Sequence, residues 1–167
     1  IEDTISEKTG EIGSWDISEK NNRSVIARVV PNTDDASTYT AYIQGIGGVK
    51  ANEDSSFLFA KFYKLETIEN AELIDTSNVT NMTEMIYRAG ENASTFNIDL
   101  STWDTSNVTN MYALFASVGR YATSFNLGDL SNWDTSNVTN MYAIFQRIGE
   151  NAITFELKGL ENWNLSS

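Results

Sequence analysis

Asp104-Thr105-Ser106-Asn107-Val108-Thr109-Asn110-Met111 is the middle one of three statements of a single phrase. The same eight residue types stand at Asp75–Met82 and again at Asp134–Met141. The first two copies start 29 residues apart (104 − 75) and the next two 30 apart (134 − 104). Trp163-Asn164-Leu165-Ser166-Ser167 opens a fourth copy where the sequence stops. A repeat of this length cannot bury its own apolar residues, but stacked neighbours can, so the period predicts a solenoid.

Two periodicities alternate within each unit. Val108, Met111, Leu114, Phe115 and Val118 share one face at helical spacing. So do Val79, Met82, Met85, Ile86 and Ala89, and Val138, Met141, Ile144, Phe145 and Ile148. Ser and Asn ahead of each stripe suit an N-cap, and Gly90, Gly119 and Gly149 behind it suit a left-handed C-cap. Helices are therefore predicted over these stripes, and an earlier, shorter one over Ser56–Tyr63, followed by a short strand at Leu65–Ile68. Period-two segments follow the glycines: Phe96, Ile98, Leu100; Phe125, Leu127, Leu130; Phe155, Leu157, Leu160. The last two hold one extra residue, at Gly128-Asp129 and Lys158-Gly159, which predicts a β-bulge in a parallel sheet.

Residues 1–54 do not repeat. Ser14–Ile17 reads as a short strand. After a turn at Glu19–Asn22, Ser24–Val30 reads as a longer strand ended by Pro31, the single proline. A polar turn over Asn32–Ser37 leads to Thr38–Gln44. There Tyr39, Ala41 and Ile43 alternate with Thr40, Tyr42 and Gln44, as in a half-buried strand. This makes a small antiparallel β cap for the apolar end of the repeats.

The run Asn126 to Met141 resembles the repeat of the BspA-like leucine-rich-repeat surface proteins of bacteria, although Ile86 stands where that repeat usually has Phe. Trp15-Asp16-Ile17-Ser18 and the later strand ending in Gly45-Ile46-Gly47 resemble the segment that often precedes it. The resemblance covers about residues 55–167. It implies an extracellular or cell-surface protein with an open repeat arc, a role in adhesion, and no catalytic residues to carry over. The expected fold is α/β: a right-handed leucine-rich-repeat-like β/α solenoid of about four coils over 55–167, the last truncated, behind a β cap over 1–54. Because a fourth helix is due where Ser167 stands, the natural protein is expected to continue, with its anchor outside this segment.

The formal charge is −12, with 23 acidic and 11 basic residues, which disfavours nucleic acid and anionic membrane surfaces as partners. The chain has no His and no Cys, so imidazole bases and thiolate–zinc sites are excluded. No cofactor, no metal and no enzymatic activity are expected, and no apolar run suits direct membrane insertion.

Asp75, Asp104 and Asp134 could form a calcium ladder, but one carboxylate per turn among hydroxyls and amides favours turn bonding. Trp103, Trp133 and Trp163 recur at equal offset, either as an exposed sugar-stacking row or as a buried stack, and the buried stack is favoured. Asn78, Asn107 and Asn137 match the glycosylation acceptor as a by-product of the repeat. The leading expectation is a protein-binding surface module, with host extracellular matrix or another cell surface as partner. Its face is expected at Asn97, Asp99, Asn126, Asp129, Glu156 and Lys158, with Tyr112 and Tyr142 exposed nearby. A carbohydrate-binding module using the Trp or Tyr rows, and an architectural stalk in a longer or pilus-like protein, are the alternatives.

Overall fold

The computed structural model describes residues 1–17, 24–35 and 37–164. The predicted turn at Glu19–Asn22, Ser18, Ala36 and the final Leu165–Ser167 lie outside the described residues. The chain divides into two compact units, Ile1–Lys50 and Ala51–Ser167. Among the described residues no helix is long and apolar enough to cross a membrane.

In the first unit, β1 (Gly13–Asp16), β2 (Val25–Pro31) and β3 (Tyr39–Gly45) form an antiparallel sheet with β2 in the centre. β4 (Val49–Lys50) is a two-residue strand. Pro31 ends β2 opposite Tyr39, where its missing N–H costs the ladder least. The alternation predicted for β3 does not hold. Tyr39 and Ala41 are exposed, whereas Gln44 is wholly buried. The reason is a polar cluster. Arg28 Nε donates to Gln44 Oε1 at 2.9 Å, and Arg28 Nη1 donates to both Glu11 oxygens at 2.9 and 2.7 Å. Gln44 Nε2 donates to Glu2, which also accepts from Lys8 Nζ at 2.6 Å. A buried guanidinium is tolerable when its donors are met in this way.

The second unit corrects the expected fold class. The β/α solenoid is not what forms: the described residues contain no α-helix, only the single-turn 3-10 segments Ala71–Leu73 and Leu130–Asn132. Leu65–Ile68 forms no strand. β5 (Ile74–Asp75) has two residues. β6 (Thr95–Asn97), β7 (Ser124–Asp129) and β8 (Thr154–Lys158) make one small parallel sheet in that order.

Where helices were expected, the chain runs through consecutive turns. Met85 N bonds Met82 O, Tyr87 N bonds Glu84 O, and Ala89 N bonds Ile86 O. The amides between them leave the copy altogether. Met82 N donates to Asn110 O at 2.9 Å, Glu84 N to Tyr112 O at 2.9 Å and Arg88 N to Ala116 O at 3.0 Å. One copy later, Met111, Ala113 and Ser117 donate to Asn140, Tyr142 and Gln146. Ser55, Phe57, Phe59 and Lys61 make the same bonds to the first copy, so the short opening stretch is a member of the series. An α-helix keeps its amide bonds inside one segment. A segment flanked by its own likeness has a second way to satisfy them.

The apolar stripe is nonetheless buried as its spacing implied in the first two copies, whereas in the third Val138 and Ile144 are buried and Met141, Phe145 and Ile148 half-buried. Met82, Met85, Ile86 and Ala89 are fully buried, as are Met111, Leu114, Phe115 and Val118. Between copies, Phe96, Phe125 and Phe155 are Cα partners whose rings stack at 5.8 and 5.2 Å. The bulge is present: the β7–β8 register shifts between Asn126 and Asp129, with Gly128 at φ +80°.

The turn runs place non-glycine residues at positive φ, including Ala113 (+50°) and Ser117 (+58°). Gly119 (+53°) is in the same conformation, so φ alone does not demand glycine there. Space does: a Cβ on Gly119 would lie 2.7 Å from Phe125 Cδ2 and 2.9 Å from Phe96 Cβ. Two substitutions two residues apart should therefore have opposite signs. Gly119→Ala should cost about 1–3 kcal/mol through overpacking. Ser117→Gly should be neutral or stabilise by up to about 1 kcal/mol, by relieving a left-handed backbone. Thermal melts of the two variants check this, and equal losses would refute the steric assignment.

Candidate interaction surface

The repeated phrase is consumed by construction. Each Asp closes a turn on its own backbone: Asp75, Asp104 and Asp134 Oδ1 accept from the amides of Ser77, Ser106 and Ser136 at 3.0, 2.9 and 2.9 Å. The first Thr donates to the next copy, from Thr76 Oγ1 to Asp104 O and from Thr105 Oγ1 to Asp134 O, both at 3.0 Å. The first Asn donates to the preceding copy, from Asn107 Nδ2 to Ser77 O and from Asn137 Nδ2 to Ser106 O, both at 2.8 Å. That nitrogen is the atom a glycan would take, and here it ties two copies together. The second Thr donates from Oγ1 to the preceding Thr carbonyl, and the second Asn closes another turn, as Asn110 Oδ1 accepts from Tyr112 N. Among the described residues no three carboxylates converge to hold a metal ion.

The tryptophans are also structural. Trp103, Trp133 and Trp163 are 2%, 2% and 7% exposed. Their Nε1 atoms donate to Ala71, Leu100 and Leu130 carbonyls at 3.2, 3.0 and 3.4 Å. Trp133 and Trp163 lie parallel at 5.8 Å, and Trp133 stacks on Phe115 at 5.7 Å. In the first unit, by contrast, Trp15 is 54% exposed.

The predicted face residues separate into groups. Asn97, Asn126 and Glu156 are partners in strand register across β6, β7 and β8. Thr95, Ser124 and Thr154 form a second row beside them. Counting each strand from its Phe misses this hydroxyl row, although a Thr or Ser stands directly before the Phe in all three copies. Residues of both rows line an open depression of about 540 Å³, with Phe125, Ile153 and Phe155. Lys158 Nζ reaches Glu156 Oε1 at 2.6 Å, and this bond holds the ammonium above its usual pKa. Asp99 and Asp129 turn back on their own chain, accepting from Ser101 N and Ser131 N. Tyr112 and Tyr142 sit in the turn runs instead of the strands, stacked at 5.8 Å; Tyr142 is 73% exposed, whereas Tyr112, expected to be exposed, is half-buried.

A further set went unread in the sequence. Arg88 Nε bonds Glu91 Oε2, Arg120 spans Glu91 at 3.6 Å and Glu150 at 2.6 Å, and Arg147 Nε meets Glu150 at 3.2 Å. The signal was there: these charges stand two residues before or one residue after the corner glycines, Gly90, Gly119 and Gly149.

Two measurements follow. Iodide should quench the fluorescence of one indole in four, Trp15, because the repeat tryptophans are buried; quenching of most of the signal would contradict their placement. Acid should also act through the Asp turns. The hydroxyl and amide of Ser136 hold the Asp134 carboxyl below its ordinary value of 3.8. Ser56 does the same for Asp54. A group whose pKa is lower in the folded state stabilises above its unfolded pKa and loses that contribution as pH falls through the folded one. The melting temperature should thus fall on acidification below about pH 4. Asp134→Asn keeps the turn acceptor and should show a shallower acid loss, whereas Asp134→Ala should be less stable already at neutral pH.

No curated protein and no solved structure is similar to the chain by comparison. Residues 54–167, the whole repeated part, match the family described as "Mycoplasma protein of unknown function, DUF285". That match spans more than half of the chain, and the chain belongs to this family.

Proposed function

We propose that this chain is a non-catalytic interaction module of a bacterial cell surface, presenting the outward face of β6, β7 and β8 to a protein partner such as host extracellular matrix or another cell surface. The observation that carries the reading is the pair of polar rows in strand register, Thr95–Ser124–Thr154 and Asn97–Asn126–Glu156. The phrase residues are engaged in holding the copies together, whereas Asn97 and Glu156 are exposed; Asn126, half-buried between them in register, accepts from Gly128 N at the bulge. Parallel strands space such side chains about 4.8 Å apart, a pitch suited to contact with another polypeptide. The lack of His and Cys removes imidazole bases and thiolate nucleophiles, and the phrase aspartates are bonded to their own turns, which supports a non-catalytic reading. The surface location rests on the resemblance to the BspA-like repeat.

A carbohydrate-binding reading keeps one foothold. With the repeat tryptophans buried, it rests on Tyr142, whose ring is exposed beyond the stack with Tyr112.

Surface plasmon resonance on immobilised matrix proteins, with flow cytometry on cultured cells, separates the two. Asn97→Ala/Asn126→Ala/Glu156→Ala should weaken binding about tenfold or more, equivalent to ~1.4 kcal/mol. Its melting temperature should fall only modestly, because the main structural bond lost is that of Asn126 Oδ1 to Gly128 N at the bulge, about 1 kcal/mol. Tyr142→Ala should bind as wild type. Loss of binding in Tyr142→Ala alone, together with competition by free sugars, would move the site to the tyrosines.

A further inference from the structure

The chain is strongly acidic, yet its cations are not scattered. After Ala51 there are six basic residues, and Lys158 is the only one on the sheet. The other five stand where each turn run gives way to its strand: backbone bonds bring Lys61, Arg88 and Arg147 to equivalent places in successive copies, Arg120 lies beside Glu91 and Glu150, and Lys64 Nζ donates to Asn92 O at 2.9 Å. Two glutamates stand among them, Glu91 and Glu150, so the corner carries a surplus of three positive charges.

The arginines are held in place. Glu91, with its side chain 5% exposed, accepts from Arg88 Nε and faces Arg120 Nη1 at 3.6 Å. Glu150 accepts from Arg120 Nε at 2.6 Å and Arg147 Nε at 3.2 Å. Aromatic rings fix the guanidinium planes: Arg88 Cζ lies 5.1 Å from the Tyr63 centroid and Arg120 Cζ lies 4.6 Å from that of Tyr121. Arg88 and Arg147 bond their glutamates through Nε, which keeps their two Nη groups for a further acceptor. Their side chains are 38% and 49% exposed. Ordering a long cationic side chain is a main cost of binding, and here the fold has already met it.

We propose that this arginine–tyrosine corner is a docking surface for a short acidic peptide segment of a protein partner. The site already shows carboxylates seated on its guanidinium groups, in the persons of Glu91 and Glu150. Its extent sets the length of the occupant. Arg88 and Arg147 are two copies apart, roughly 10 Å at ordinary strand spacing. A nucleic acid or an anionic bilayer would extend well past that distance into a chain of net charge −12, where it is repelled. A few Asp or Glu residues satisfy the surplus without leaving it. The corner is independent of the sheet face proposed above, and either surface stands if the other fails.

The test is fluorescence anisotropy of labelled peptides on the whole chain. An oligo-glutamate peptide should bind, an oligo-lysine peptide should not, and binding should weaken with added salt. Arg88→Gln/Arg147→Gln should weaken it about tenfold or more. Lys158→Gln, off the corner, should leave it unchanged. If the double variant melts early, Lys61→Gln, at an exposed position, provides the second reading and should also weaken binding. Absence of oligo-glutamate binding, equal binding by wild type and the double variant, or tighter binding of an oligonucleotide of matched charge would each overturn the proposal. So would self-association in light scattering that disappears in the double variant, since it would assign the corner to a second copy of this chain.

Discussion

The second unit depends on a backbone hydrogen bond that leaves its own copy. Met82 N finds Asn110 O, and Met111 N finds Asn140 O. Each such bond connects equivalent segments, so forming one sets the register of the rest. The phenylalanine and tryptophan stacks can exist only in that register, as can the Thr and Asn side-chain bonds between copies. A net hydrogen bond contributes about 1 kcal/mol, and a stacked aromatic pair about 0.5–1.5 kcal/mol beyond its buried area. None decides the fold alone. Repetition makes them cooperate, because a slip of one residue would forfeit them together.

This constraint also explains what the sequence disclosed and what it hid. The inward residues were legible, because Val108, Met111, Leu114, Phe115 and Val118 must face the core in whatever backbone carries them. The backbone was not. A run of turns with left-handed residues at Ala113 and Ser117 also returns to one side every three or four residues, and so leaves the same apolar trace as a helix. The amides that leave Met111, Ala113 and Ser117 for the next copy distinguish the two, and no side-chain pattern records them. The bulge at Gly128 was legible because an inserted residue changes the period from 29 to 30. Gln44 was not: its burial depends on Arg28 and Glu2, and alternation rules ignore partners so distant in sequence.

The candidate face was half legible. Asn97, Asn126 and Glu156 followed from period-two counting once the strands were placed. Asp99 and Asp129 followed from the same counting, and what the counting did not disclose is that each gives one oxygen to the Ser amide two residues on, as Asn126 does to Gly128 N. The arginine corner escaped because charges there alternate between copies and so look unpatterned along the chain.

That alternation separates building from recognition. At Asp75, Asp104 and Asp134 the residue never changes, and its bond is to its own turn. At other positions the copies differ: Asn97, Asn126, Glu156 on the sheet, and Glu91, Arg120, Glu150 at the corner. A residue required by the stacking must recur, because every copy meets the same neighbours. A residue free of that requirement can vary, and variation is what turns three equivalent copies into one distinct surface. The alternating corner satisfies both demands at once. Arg120 between Glu91 and Glu150 ties three copies by attraction, where three like charges at copy spacing would repel. The surplus on Arg88 and Arg147 remains outside that arrangement, exposed and already oriented, and it is there that a charged partner would meet the least resistance.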